Sequence, residues 1–189
     1  MLPCQVLDTS LFPPRDRFAC WYEVIESEAA PTRISSPHLD DFVAQAKSVD
    51  LGNVKLAGLR YPTLDTTRTS KLVRTSQPDN YQFVLTTAGD SAISQDRNHS
   101  AVEPASFTFL DNCRPFAGRH RSTGQGLAGS ISVVIPHKTL PLPAERPDGC
   151  SPRRFRPTRA WPRCWPSSYV ESSRIRSSTR PPTPPSWAR

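Results

Sequence analysis

The 189-residue sequence predicts a mainly β protein, an antiparallel sandwich or barrel entered through N-terminal helices and followed by a disordered tail. Three observations carry this. Apolar residues run at helical spacing near the start, alternate at period 2 from Val54 onward, and give way after Cys150 to a segment too rich in proline and arginine to pack.

The first helix follows Phe12-Pro13-Pro14: Phe18, Trp21, Tyr22 and Ile25 fall at i, i+3, i+4 and i+7, with proline where a first turn tolerates it. Trp21 and Tyr22 therefore belong to a core face. A second, shorter helix is expected after Ser36-Pro37, with Leu39, Phe42, Val43 and Ala46 on one side, ending before Asp50-Leu51-Gly52-Asn53. Strands are then expected around Val54/Leu56, Tyr81/Phe83/Leu85, Phe107/Phe109 and Ile131/Val133/Ile135, with turns at Gly89-Asp90, Asp96-Arg97-Asn98 and Gly124-Gln125-Gly126. Short strands with no helices between them favour an antiparallel sheet pair or barrel over a parallel α/β sheet. Pro136, with His137 to Leu140 after it, is read as a possible helix start.

Charge divides the chain. Residues 1–150 carry 15 Lys and Arg against 16 Asp and Glu, whereas 151–189 carry 9 Arg and one Glu, so the net charge of +7 belongs to the tail. A basic isoelectric point is thus no argument that the body binds nucleic acid. No apolar run approaches the roughly 18 to 20 residues that span a bilayer, and Met1 to Ser10 does not resemble a signal peptide. A soluble, cytoplasmic protein with no membrane partner is expected. Cys4, Cys20, Cys113, Cys150 and Cys164 are odd in number and form no CxxC pair, which reads as reduced thiols.

Several segments in register carry a family resemblance. Leu11-Phe12-Pro13-Pro14-Arg15-Asp16-Arg17-Phe18-Ala19-Cys20-Trp21 resembles the opening of the N-terminal sensor domain of AraC-type transcription regulators. Pro78-Asp79-Asn80-Tyr81, Gln95-Asp96 and Val134-Ile135-Pro136 to Leu140-Pro141-Leu142-Pro143 agree with it. So does Leu110-Asp111-Asn112-Cys113-Arg114-Pro115, which is similar to the family's hydrophobic-Asp-x-x-Arg-Pro segment. Together they span most of residues 5 to 146. At Glu103-Pro104-Ala105-Ser106-Phe107 the chain lacks the glycine the family commonly has, so a less tight turn is expected there.

The resemblance implies a cupin-like β-barrel over residues 1–147 that senses a small-molecule or protein effector and lies ahead of paired helix-turn-helix units. No recognition helix is legible in 148–189, where prolines break every helical window, so no sequence-specific DNA binding is expected from this chain alone. The family's post-barrel helices help to pair subunits, and without them dimerisation is not expected.

The tail itself has 9 Arg, 8 Pro, 8 Ser, three Trp and no Leu. Read with each codon's first base as a middle base, Trp, Cys, Tyr and TCN serines all become apolar. In this sequence Trp161, Cys164, Trp165, Ser168, Tyr169, Ser172 and Ser173 then form the i, i+3, i+4, i+7 stripe of an amphipathic helix. The preferred reading is a one-base slip near Arg146 or Pro147 that leaves a sensor fragment with an out-of-frame tail. The alternative is a genuine Arg- and Trp-rich tail that binds nucleic acid or an acidic partner.

Catalytic and cofactor chemistry find little support. A metal cupin needs a His-x-His pair with a carboxylate and a later His, whereas His38, His99, His120 and His137 stand singly. No metal, cofactor or enzymatic activity is expected, with a small cupin enzyme left as the remaining alternative. His120, between Arg119 and Arg121, reads as a solvated strand or loop edge, and Ser132 as an ordinary strand residue. Asp111 and Arg114 are the candidate effector-binding residues, at a barrel mouth, against the plainer reading of a strand-end salt bridge.

Overall fold

The computed structural model describes residues 4–28, 30–124 and 126–140. The predicted disordered tail, 148–189, and the proposed slip near Arg146 lie outside the described residues.

The chain opens with β1 (Cys4–Asp8), a 3-10 turn at Thr9–Leu11 and α1 (Pro14–Glu28). Proline at the first helical position needs no N–H partner, and Asp16 complements the helix dipole in the first turn. Trp21 is fully buried, with Phe18, Tyr22 and Ile25 packed beside it. Then follow β2 (Arg33–Ser35), β3 (Gln45–Asp50), β4 (Lys55–Tyr61), β5 (Leu64–Arg68) and the short α2 (Ser70–Ser76). Five more strands complete the described fold: β6 (Asn80–Ala88), β7 (Asp90–Gln95), β8 (Asn98–Val102), β9 (Ser106–Asp111) and β10 (Phe116–Arg121), before β11 (Ala128–Pro136) closes it. Every pairing is antiparallel, in a six-stranded sheet ordered β1-β3-β4-β11-β6-β9 and a five-stranded sheet ordered β2-β5-β10-β7-β8. The two sheets form a cupin-like fold that is not closed into a continuous barrel.

The predicted strands and all three turns are present, but the second predicted helix is not. Leu39–Asp41 makes only a 3-10 turn, and Gln45–Asp50 is strand β3. The reason is capture by β1: Thr9 Oγ1 donates to the Phe42 carbonyl at 2.6 Å and accepts from the Ala44 amide at 2.7 Å, while Thr9 N donates to Ala44 O at 2.9 Å. Phe42, with no exposed surface, meets Phe18 edge-on at 5.2 Å and Trp21 at 5.7 Å. These contacts outweigh a weak helical preference. After β11, His137–Thr139 is a single 3-10 turn.

At the turn that lacks the family's glycine, an alanine takes up the left-handed backbone conformation. Ala105 takes φ +64°, Ser106 N donates to Glu103 O at 3.1 Å, and Ala105 N donates to Thr86 O at 2.8 Å. An alanine in this region carries strain of about 1 to 2 kcal/mol that glycine does not.

At the other end of the same strands, Arg68 is 1% exposed and has no carboxylate partner among the contacts of its guanidinium. Its Nε donates to Asn112 O at 2.9 Å, one terminal nitrogen to Ser76 Oγ at 2.8 Å, and the other to the Pro31 carbonyl. Burial pulls its pKa below the ordinary arginine range.

Two stability outcomes are expected in urea unfolding. Arg68→Ala, which strands one buried and two part-buried acceptors, lowers stability by about 3 kcal/mol, and Arg68→Lys recovers little because an ammonium cannot span the three directions. Ala105→Gly raises stability by roughly 0.5 to 1 kcal/mol once the greater unfolded-state entropy of glycine is subtracted; an unchanged midpoint would remove the claim of strain.

Candidate functional site

Between the sheets lies a lumen whose lining follows from strand alternation. On β6 the inward residues are Gln82 and Val84, on β11 Ser130 and Ser132, on β9 Leu110, and on β10 Gly118 and His120. Trp21 and Ile25 of α1 and Leu59 and Tyr61 of β4 complete one side. The resulting cavity is about 110 Å³, and a neighbouring one of about 140 Å³ shares Ile25, Leu59, Gln82 and Ser132 with it.

Among the described residues, no Asp, Glu, Lys or Arg lines the first cavity. Its polar groups are hydroxyls, an amide, an imidazole and an indole. Tyr61 Oη donates to Ser130 Oγ at 3.2 Å, and Gln82 Nε2 donates to Ser132 Oγ at 2.8 Å. Burial raises the Tyr61 pKa, so the phenol stays protonated. Trp21 Nε1, in a side chain only 1% exposed, has no hydrogen-bond partner. An unmet buried donor costs on the order of 1 to 3 kcal/mol, which an acceptor arriving in the lumen would recover.

His120 is not at a solvated edge. Its neighbours Arg119 and Arg121 point outward on β10 and its own ring points in, 8% exposed, edge-on to Tyr61 at 5.8 Å and 3.0 Å from Ser91 Oγ through Nδ1. Burial pushes its pKa down to about 4, so the imidazole is neutral near pH 7. The neutral ring takes either tautomer with Ser91, and Nε2 is then an acceptor or a donor accordingly. Gly118 preserves the space beside it: a Cβ there would lie 2.9 Å from His120 Nε2 and 2.5 Å from Thr66 Oγ1. Ser132, read from the sequence as a plain strand residue, is likewise part of the lining.

Asp111 and Arg114 are brought together, but away from the residues that line the lumen. Arg114 reaches Asp96 at 3.0 Å and Asp111 Oδ2 at 3.6 Å, while the Asp111 backbone N–H donates to Gln95 Oε1 at 3.0 Å. The arrangement is a partly exposed strand-end cluster. Beside it stand Cys113 and His137, and burial, with Asp111 and Asp79 adding to it, holds the Cys113 thiol above its ordinary pKa. Cys4, Cys20 and Cys113 are free thiols; Cys150 and Cys164 lie outside the described residues.

The titration of His120 has a sign that can be checked. The unfolded ring binds its proton near pH 6.5 and the folded one near 4, so the unfolded state gains protons first as pH falls. Stability is therefore lost between those values, by about 3 kcal/mol in all. His120→Gln is expected to lack this component, so that its urea unfolding free energy falls less than that of the unsubstituted protein between pH 7 and 4; equal pH dependence would mean that folding leaves the ring's pKa unshifted.

The model of the AraC-binding-like domain family matches residues 21–168. Among curated proteins, the chain is 24% identical over 113 residues to an uncharacterized protein in the nit 5' region of Bacillus sp. (strain OxB-1), covering 59% of this chain and 43% of that protein. Among solved structures it resembles the AraC-like transcriptional activator CuxR, at 22% identity and a TM-score of 0.60 over 72% of this chain and 48% of that one. A cupin-2 domain from Rhodospirillum rubrum, Rru_A2000, is 14% identical with a TM-score of 0.37, over 55% of this chain and 62% of that one. The chain thus spans less than half the length of the Bacillus protein and of CuxR. With some four fifths of its residues inside the family match, and the sheet pair and lumen in place, the chain belongs to the AraC-binding-like domain family.

Proposed function

We propose that the chain is the effector-sensing module of an AraC-type transcription regulator, and that its effector is a small uncharged molecule held in the lumen. The observation that carries this reading is a cavity with no ionised side chain among the described residues that line it, one of which, Trp21, has a buried indole N–H with no partner. An ion entering there would give up its hydration for hydroxyls and a neutral imidazole, an exchange that strongly disfavours it. An uncharged molecule with an acceptor atom suffers no such loss. The first cavity, about 110 Å³, is smaller than the roughly 150 Å³ that holds benzene, so an aromatic ligand would also draw on the neighbouring space of about 140 Å³ that shares Ile25, Leu59, Gln82 and Ser132.

The same geometry favours binding over turnover, because the lumen presents no general base of raised basicity and no activated nucleophile. Sequence-specific DNA contact is assigned to other parts of such a regulator: among the described residues α2 has only seven residues and α1 packs its apolar face into the core. No helix among them is long and apolar enough to cross a membrane, which fits a regulator acting in the cytoplasm.

The test is a thermal-shift panel of matched compounds: benzyl alcohol and benzamide against benzoate and benzylamine. The uncharged members are expected to raise Tm, since a ligand at a hundredfold its Kd stabilises by about 2.7 kcal/mol. Gly118→Val, which fills the lumen, is expected to abolish the shift. Equal shifts from the charged compounds, or shifts that survive Gly118→Val, would overturn the proposal.

A further inference from the structure

Beside the start of β6, the end of β9 brings a carboxylate and a thiol together with an imidazole from the end of β11. One ligand-type atom from each of Asp111, Cys113 and His137 lies within 4.8 Å of the others. His137 Nδ1 is 4.0 Å from Cys113 Sγ and 3.0 Å from an oxygen of Asp79, and its Nε2 is 3.4 Å from Asp111 Oδ1. That Nε2 is buried yet has no hydrogen bond, because the nearby carboxylate is not aligned as an acceptor.

The backbone around these side chains is held from several directions. His137 N donates to Asp79 O at 3.1 Å, Asn112 N to Asn80 O at 3.1 Å, and Cys113 N to Asp111 Oδ1 at 2.9 Å. The His137 ring lies over Tyr81 with centroids 3.9 Å apart. Arg114 faces Asp111 through Oδ2, which leaves Oδ1 turned toward the imidazole. The Cys113 thiol meanwhile donates to Pro78 O at 2.8 Å, a contact it would give up as a thiolate ligand.

We propose that Asp111, Cys113 and His137, with a water as the fourth ligand, form a site for a zinc-class divalent transition metal. One sulfur, one nitrogen and carboxylate oxygen are a borderline donor set that suits zinc or cobalt and disfavours magnesium or calcium, which take oxygen alone. Ligand atoms around a tetrahedral zinc stand roughly 3.3 to 3.8 Å apart, so contraction by about an ångström through side-chain rotation completes it. Binding exchanges the thiol proton for the metal and involves no redox step. The metal would tie the end of β11 to the turn between β9 and β10.

The experiment is titration of the full-length, chelator-treated and dialysed protein with Co²⁺, read by absorbance. A saturable 1:1 signal is expected, with a thiolate-to-cobalt charge-transfer band and the visible bands of a tetrahedral centre, displaced by Zn²⁺. Cys113→Ser and His137→Ala are each expected to abolish the charge-transfer band or weaken binding at least tenfold, with far-UV circular dichroism unchanged. The double variant Cys150→Ser/Cys164→Ser, and Cys4→Ser and Cys20→Ser, are expected to keep it. Absence of stoichiometric binding, or a charge-transfer band that persists in Cys113→Ser, overturns the site. Should His137→Ala prove unfolded, Asp111→Asn with a retained fold and undiminished affinity would overturn it equally.

Discussion

One buried cation holds the end of the fold together. Arg68 stands at the last position of β5 with its guanidinium out of water, and it is satisfied by two backbone carbonyls and a hydroxyl. Those acceptors belong to the loop before β2, to α2 and to the turn after β9, none of which is joined to the others by a sheet ladder. Because the acceptors are neutral, no ion pair repays the desolvation; hydrogen bonds alone do, and all three must be present together. Only arginine has a planar fork with donors in enough directions to meet them. Asp111 and Cys113 flank Asn112 on the turn that Arg68 anchors, and Asp79, before β6, and His137, after β11, approach that turn from neighbouring strand ends.

The strands show how far alternation can be read. Phe83, Leu85, Phe107, Phe109, Ile131 and Val133 mark strands unmistakably, and all of them lie in β6, β9 or β11. Yet they face away from the lumen, whose walls use the intervening Gln82, Val84, Leu110, Ser130 and Ser132. The cross-strand register aligns Leu56, Val133, Phe83 and Phe109 in one row on the outer face, with Ile131, Leu85 and Phe107 in the next. Period 2 reports a strand but carries no label for which face is inside. On β11 and at Gln82 the face turned to the lumen is the more polar one, while Trp21, Ile34, Leu64 and Ile93 from other elements make the lining as a whole apolar.

The misread elements share a cause, a local pattern overruled by a distant partner. Residues 39–46 carry helical spacing, but Phe42 is claimed by Phe18 and Trp21, and Ala44 by Thr9 more than thirty residues away. His120 looks solvated because its neighbours are arginines, although in a strand those neighbours mark the opposite face. Ala105 stays at positive φ because the hydrogen bonds of Thr86 and Glu103 close the turn around it. By contrast α1 was legible in full: Phe18, Trp21, Tyr22 and Ile25 depend on one periodicity and meet one core. Asp111 and Arg114 were legible as a pair through their short separation, whereas the approach of Asp79 and His137 depends on strand register that no local motif encodes.

The lumen and the strand-end cluster are not independent neighbourhoods. Gln82 donates to Ser132 in the lumen, and its Oε1 accepts from Asn112 Nδ2 at 3.5 Å; the same Nδ2 donates to Asn80 Oδ1 at 2.6 Å. Asn112 has no exposed surface, and its backbone carbonyl is the acceptor of Arg68. Two side-chain hydrogen bonds therefore join a group that would meet an effector to the turn that holds Asp111 and Cys113. Contiguity of this kind is not by itself coupling, which requires an element with two states that both sites bias. What it imposes is a constraint: a ligand that draws the Gln82 amide toward itself weakens the bond to Asn112, and Asn112 cannot move without disturbing the contact that seats Arg68. Any second arrangement of this end must therefore shift α2, the loop before β2 and the β9–β10 turn together.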